Sequence, residues 1–155
     1  MISTIKGNLL DWPNGINIIV HGCNTLNVMG AGIALAIANK YPEALAVDTQ
    51  ASNDGENKLG QFSIAKLPDH KRIVNLYIQS DVGTDSRKLD YEALCVGLTH
   101  LRDLISDAVA QGRSYTLGLP WIGCGLAGGD KRVVKAMIDS IFENVKFNVY
   151  IVELE

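Results

Sequence analysis

The chain has little with which to build a covalent or metal framework. Its three cysteines, Cys23, Cys95 and Cys124, are odd in number and widely spaced, which excludes a closed disulfide framework and points to a reducing compartment. His21, His70 and His100 show no ligand pair at helix or knuckle spacing, so neither a metal site nor a cofactor is expected. No apolar run approaches the ~20 residues of a membrane span, and no charged-then-apolar leader opens the sequence; a soluble, cytoplasmic, monomeric protein is the expectation. Positive charge is also short. A net charge of -3 supplies no basic face for the phosphates of nucleic acid, so no nucleic-acid surface is expected. Neither glycine-rich loop ends in Gly-Lys-Ser/Thr, which excludes a Walker A site, and Leu35 stands where a dinucleotide fingerprint requires Gly or Ala.

What remains is ample for a core: 155 residues, 47% hydrophobic and 20% charged, make a single domain over 1–155. The chain is organised around 16–38, INIIVHGCNTLNVMGAGIALAIA. Ile16, Ile18, Ile19 and Val20 read as a strand buried on both faces, with His21, Cys23 and Asn24 where it stops. Gly30 and Gly32 then permit close backbone approach to a ligand, and a helix starting near Ile33 would aim free N–H groups at an anion. A second junction of the same kind follows a strand over 115–119, in the loop Gly123, Cys124, Gly125, Leu126, Ala127, Gly128 and Gly129. Two such loops converge readily on one crevice and suit a two-phosphate ligand, although each glycine alone is also explained as a tight turn.

The remaining elements alternate. Strands are predicted over 1–6, 62–67, 73–78 and 147–152, with 68–71 joining the middle two as a hairpin. Helices are predicted over 33–40 and 43–50, with Pro42 able to open the second. A long helix follows from Asp90, bearing Leu94, Leu98, Leu101 and Ile105 on one face, and another is capped by Asp130. Strands alternating with helices make the fold α/β, its sheet covered on both sides.

Five segments in order and spacing resemble the macro domain family: Gly7-Asn8-Leu9, Val20-His21-Gly22-Cys23-Asn24, Gly30-Ala31-Gly32-Ile33-Ala34, Pro120-Trp121-Ile122-Gly123-Cys124-Gly125-Leu126 and Asn148-Val149-Tyr150. The resemblance spans essentially the whole chain. It implies a three-layer α/β/α fold around a central mixed sheet and a pocket for ADP-ribose or a derivative. The His-x-Cys-Asn segment and the second loop look most like the branch that processes ADP-ribose 1''-phosphate.

By that resemblance, Asn8 and the Leu9 amide meet the adenine and Tyr150 stacks on it. The amides of Ala31, Gly32 and Ile33 hold the diphosphate. Ile122, Gly123, Cys124, Gly125 and Leu126 surround the other phosphate and the distal ribose, whose hydroxyls meet Asn24. Position 8 is usually aspartate in the family; asparagine keeps an acceptor without the charge, so a weaker adenine contact is expected. From the residues alone, Asn8 serves equally as a turn former, Asn24 as a loop cap and Tyr150 as a half-buried strand residue.

Catalytic residues are sparser. One hydrolase class of the family carries an aspartate where this chain has Ala34, and another pairs a lysine with an aspartate where it has Gln79-Ser80-Asp81 and Leu126-Ala127-Gly128. His21 resembles a histidine of the phosphatase branch and can move a proton near neutral pH. Asp81 is the weaker catalytic candidate, and Cys23 and Cys124 read as small packing residues. The resulting expectation is hydrolysis of the terminal phosphate of ADP-ribose 1''-phosphate. The alternatives are a non-catalytic ADP-ribose reader and, disfavoured by the missing acids, a hydrolase of ADP-ribosyl conjugates.

Overall fold

The computed structural model describes residues 1–26, 29–51, 58–80, 87–125 and 127–154. In chain order the elements are β1 (Ile2–Lys6), β2 (Ile18–Asn24), α1 (Gly32–Lys40), α2 (Pro42–Gln50), β3 (Phe62–Lys66), β4 (Arg72–Gln79), α3 (Tyr91–Ala110), β5 (Thr116–Leu119), α4 (Lys131–Ile141) and β6 (Asn148–Glu153). Two short 3-10 turns, Leu9–Asp11 and Pro13–Gly15, connect β1 to β2. Among the described residues, no helix is long and apolar enough to cross a membrane.

The six strands form one sheet in the order β1-β6-β5-β2-β4-β3. All neighbours pair in parallel except β3 and β4, the hairpin expected from the sequence. Strand alternation sends Ile18 and Val20 to one core and Ile19 to the other, which is why this strand reads as a continuous apolar run. One core joins the sheet to α3 and α4 through Leu94, Leu98, Leu101, Val134 and Ile138. The other joins it to α1 and α2 through Ile37 and Ala44. The architecture is therefore the expected three-layer α/β/α arrangement around a mixed sheet.

Most boundaries fall within one or two residues of the sequence reading. The exception is β2, which continues through His21, Cys23 and Asn24 instead of stopping at Val20. The added polar residues can remain in the strand because their cross-strand partners on β4, Asn75 for His21 and Tyr77 for Cys23, are polar as well.

Gly97 in α3 measures how closely that helix seats on β4. A Cβ there would meet the Leu76 side chain and approach the Gly60 carbonyl oxygen to 3.2 Å. Helix propensity favours Gly→Ala by about 1 kcal/mol, whereas overpacking costs roughly 1–3 kcal/mol. Gly97→Ala is therefore expected to lower the urea midpoint despite the better helix former; a raised midpoint would show that the α3–β4 contact yields.

Candidate functional site

β2 lies at the point where the connections part: the chain leaves it through α1 and α2 toward β3 and β4, while its other neighbour is β5. Ligand crevices in α/β sheets open at such points, beyond the carboxyl ends of the strands. Because β2 and β5 pair in parallel, Ile18 with Leu117 and Ile19 with Gly118, the two glycine loops leave the sheet side by side.

Asn24 ends β2 at a register shift that pairs Cys23 with Tyr77 but Asn24 with Gln79, a bulge of the kind that re-aims side chains. Asn24 is nearly buried and its Oδ1 accepts from the Leu26 amide at 2.9 Å. Beyond it, Gly30, Ala31 and Gly32 are exposed and Ile33 is half-buried. Gly32 takes a φ of +56° and opens α1, whose N-cap is Ala31. Alanine has no side-chain oxygen to offer, so the N-cap residue makes no side-chain cap to this helix. The first-turn amides therefore lack the acceptor that a Ser or Asp at the N-cap would supply, an arrangement suited to an anion.

The start of α4 is built differently. Asp130 accepts from the Arg132 amide at 2.8 Å and pairs with its guanidinium at 3.1 Å; that hydrogen bonding holds the carboxyl below its ordinary range. The carboxylate closes this helix end to anions, so anion binding falls to the loop before it. Within the loop, the Gly129 amide donates to Gly123 O at 2.8 Å and the Gly128 amide to Gly125 O at 3.0 Å. Gly123, at φ +75°, leaves no room for a Cβ, which would stand 2.8 Å from Leu89 Cδ1. Ile122 is buried beneath the loop, Gly125 is exposed, and the half-buried Cys124 donates to Ile122 O at 3.5 Å.

After β1, Asn8 is exposed and caps the first 3-10 turn, its Oδ1 accepting from the Leu10 amide at 3.0 Å. Leu9 is buried, with its side chain against Gly118. Tyr150 pairs with Gly118 across β5 and β6 and packs half-buried against the core containing Leu9. Asp81 and Leu126 lie outside the described residues.

His21 lies elsewhere than the crevice expected for it. Its side chain is wholly buried, on the sheet face that α1 and α2 cover. Its Nε2 lies 2.6 Å from Asn75 Oδ1. Asn75 Nδ2 donates to Ala44 O at 3.0 Å and to Ser63 Oγ at 3.1 Å, which fixes Oδ1 as the acceptor and makes His21 a neutral Nε2–H tautomer. The line continues across the sheet: Ser63 Oγ and Tyr77 OH are 2.8 Å apart, and Tyr77 donates to the buried Asp48 Oδ1 at 2.8 Å. Lys58 lies 4.0 Å from Asp48 Oδ1 and 4.1 Å over the Tyr77 ring. Burial pushes the Cys23 and Cys124 thiols up, away from nucleophilic thiolates. The polar layer was missed in the sequence reading, although Asn75 in the middle of an apolar strand was its signal.

Two surface grooves, of about 440 and 490 Å3, lie elsewhere: one along the outer side of α4 beside Trp121, the other between the later turns of α3 and α4. Among the described residues, no group of His, Cys, Asp and Glu could hold a metal ion.

No protein-family model matches the chain. It is 28% identical over its full length to 97% of an uncharacterized 17.5 kDa protein from the tk-vs intergenic region of Enterobacteria phage T4. With an ADP-ribose 1''-phosphate phosphatase of Lodderomyces elongisporus it shares 24% identity, covering 98% of this chain and 99% of the other. Among solved structures, the macrodomain of Mycobacterium tuberculosis DarG superposes with a TM-score of 0.80 at 23% identity, covering 99% of this chain and 97% of the other.

Burial lowers the His21 pKa to about 4 from 6.5, with the Asn75 hydrogen bond opposing the shift. Between those values the unfolded chain binds a proton that the folded one refuses, so stability falls as pH drops through 6.5 and levels off below about 4. The expected loss from this group is roughly 2 kcal/mol by about pH 5. Urea unfolding of wild type and His21→Gln across this range checks it; equal slopes would show that the imidazole protonates in place.

Proposed function

Taking the chain as a macro domain, similar over its length to an ADP-ribose 1''-phosphate phosphatase, we propose that it binds ADP-ribose and removes the terminal phosphate of ADP-ribose 1''-phosphate. The observation that carries the reading is the pair of glycine loops at the β2–β5 junction, one of them ending in an uncapped helix. The α1 amides would hold the diphosphate, and the loop from Ile122 to Gly125 the distal ribose and its phosphate. Asn8 and Tyr150 would flank the adenine, and Asn24 would meet the distal ribose hydroxyls.

Phosphoryl transfer asks mainly for positioning and for stabilisation of charge on the transferred group. Backbone amides aimed at that charge supply both without a buried general base. Water would attack phosphorus, the ester P–O bond would break toward the ribose oxygen, and the products would be ADP-ribose and inorganic phosphate. His21, held neutral behind the strand, would serve to fix β2 and not to move the proton.

The burial of His21 also favours a second reading, a non-catalytic ADP-ribose reader, because it sets the stronger of the two proton carriers expected for the crevice, His21 ahead of Asp81, away from it. Phosphorus NMR with ADP-ribose 1''-phosphate separates the two. Growth of inorganic phosphate under catalytic protein makes it an enzyme, shifted diphosphate signals without turnover make it a reader, and unshifted signals reject both.

Ala31→Asp tests the cradle itself. A carboxylate at the N-cap stabilises α1 by about 1 kcal/mol but occupies its amides and repels phosphate. The expected outcome is a higher melting temperature together with ADP-ribose affinity weaker by about tenfold or more, about 1.4 kcal/mol. Undiminished calorimetric affinity would place the diphosphate away from α1.

A further inference from the structure

The first loop carries no positive side chain: between β2 and Lys40 there is neither lysine nor arginine, and Lys40 is engaged at the far end of α1 with Leu10 O at 3.0 Å. Any fixed charge that separates a more anionic ligand from a less anionic one must come from the rim of the second loop.

On that rim Arg132 is paired with Asp130, and Lys131 lies over the Trp121 ring at 5.6 Å. Arg87 stands apart from both. It is exposed, and among the described residues no carboxylate pairs with it. Its guanidinium lies 4.6 Å from the centroid of the Tyr91 ring, a stacking that restrains the side chain without using the hydrogen-bonding edge of the guanidinium.

The backbone directly after it is fastened to the second loop. Lys88 and Leu89 amides both donate to Ala127 O, at 2.8 and 3.0 Å, and the Tyr91 hydroxyl receives the Asp130 amide at 2.8 Å. A Cβ on Gly128 would come within 3.2 Å of Arg87 Cα. Arg87 therefore moves with the loop and is not an independent surface residue.

From this juxtaposition we propose that Arg87 is the specificity residue for the terminal phosphate, favouring ADP-ribose derivatives that bear a further phosphate monoester at the distal ribose over ADP-ribose itself. This rests on the ADP-ribose reading of the crevice. A monoester carries close to two negative charges near neutral pH, and a guanidinium answers them with two parallel charge-assisted hydrogen bonds. ADP-ribose offers that position only hydroxyls, so its affinity is independent of Arg87.

The test compares wild type, Arg87→Gln and Arg87→Lys against ADP-ribose and ADP-ribose 1''-phosphate. Affinity is read as calorimetric Kd, or as KM where the phosphate turns over. Arg87→Gln is expected to weaken the phosphorylated ligand by about tenfold or more and ADP-ribose by less than about twofold, with Arg87→Lys retaining part of the preference. Equal weakening of both ligands would make Arg87 structural, and no change in either would remove it from the site; each result overturns the inference while leaving the ADP-ribose pocket standing. A wild type that binds neither ligand overturns the pocket and the inference together.

Discussion

The parallel pairing of β2 with β5, made through Ile18 with Leu117 and Ile19 with Gly118, is the constraint on which the rest depends. It sets the two strands beside each other and running the same way, so the loops that follow leave the same edge of the sheet, from Leu119 on β5 and, further along, from Asn24 on β2. The chain is committed to that arrangement by burial: β2 is covered on both faces, and slipping it by one residue would exchange the partners of every side chain. Glycine at 118 allows Leu9 and Ile16 to close over β5, linking the segment after β1 to the same junction.

The two sides of the crevice handle negative charge differently. α1 starts at an alanine and a glycine, and its N-cap offers its amides no side-chain acceptor, whereas α4 is closed by its own aspartate. In the proposed reading a diphosphate would be drawn by the dipole of one helix only, and the opposite wall would contribute loop amides and rim cations. This asymmetry gives the crevice a direction: in the proposed reading the α1 side would bind every ADP-ribose derivative and the rim of the second loop would tell them apart.

Behind β2, polarity serves the fold. His21, Asn75 and Ser63 are direct cross-strand neighbours on β2, β4 and β3, and Asn75 also reaches Ala44 O on α2. Buried polar groups are costly when unpaired and specific when paired, so this line fixes the register of three strands and the seat of a helix at once. Not every atom is satisfied: among the described residues, Thr25 Oγ1 and Asp48 Oδ2 are buried without a partner. The cost falls close to the end of β2, where the strand gives way to the first loop.

Periodicity determined the order and kind of the elements, the hairpin of β3 and β4, and both helix caps at Asp90 and Asp130, because each depends on residues close in sequence. The positions of both glycine loops were legible for the same reason. Tertiary structure alone decided the fate of His21. A histidine at the end of an apolar run has the same sequence whether it faces a crevice or a helix; only its register against Asn75 and the covering by α2 make it buried and neutral. Arg87 was equally silent, since its place beside the second loop arises from hydrogen bonds between segments almost forty residues apart, a relation no local pattern encodes.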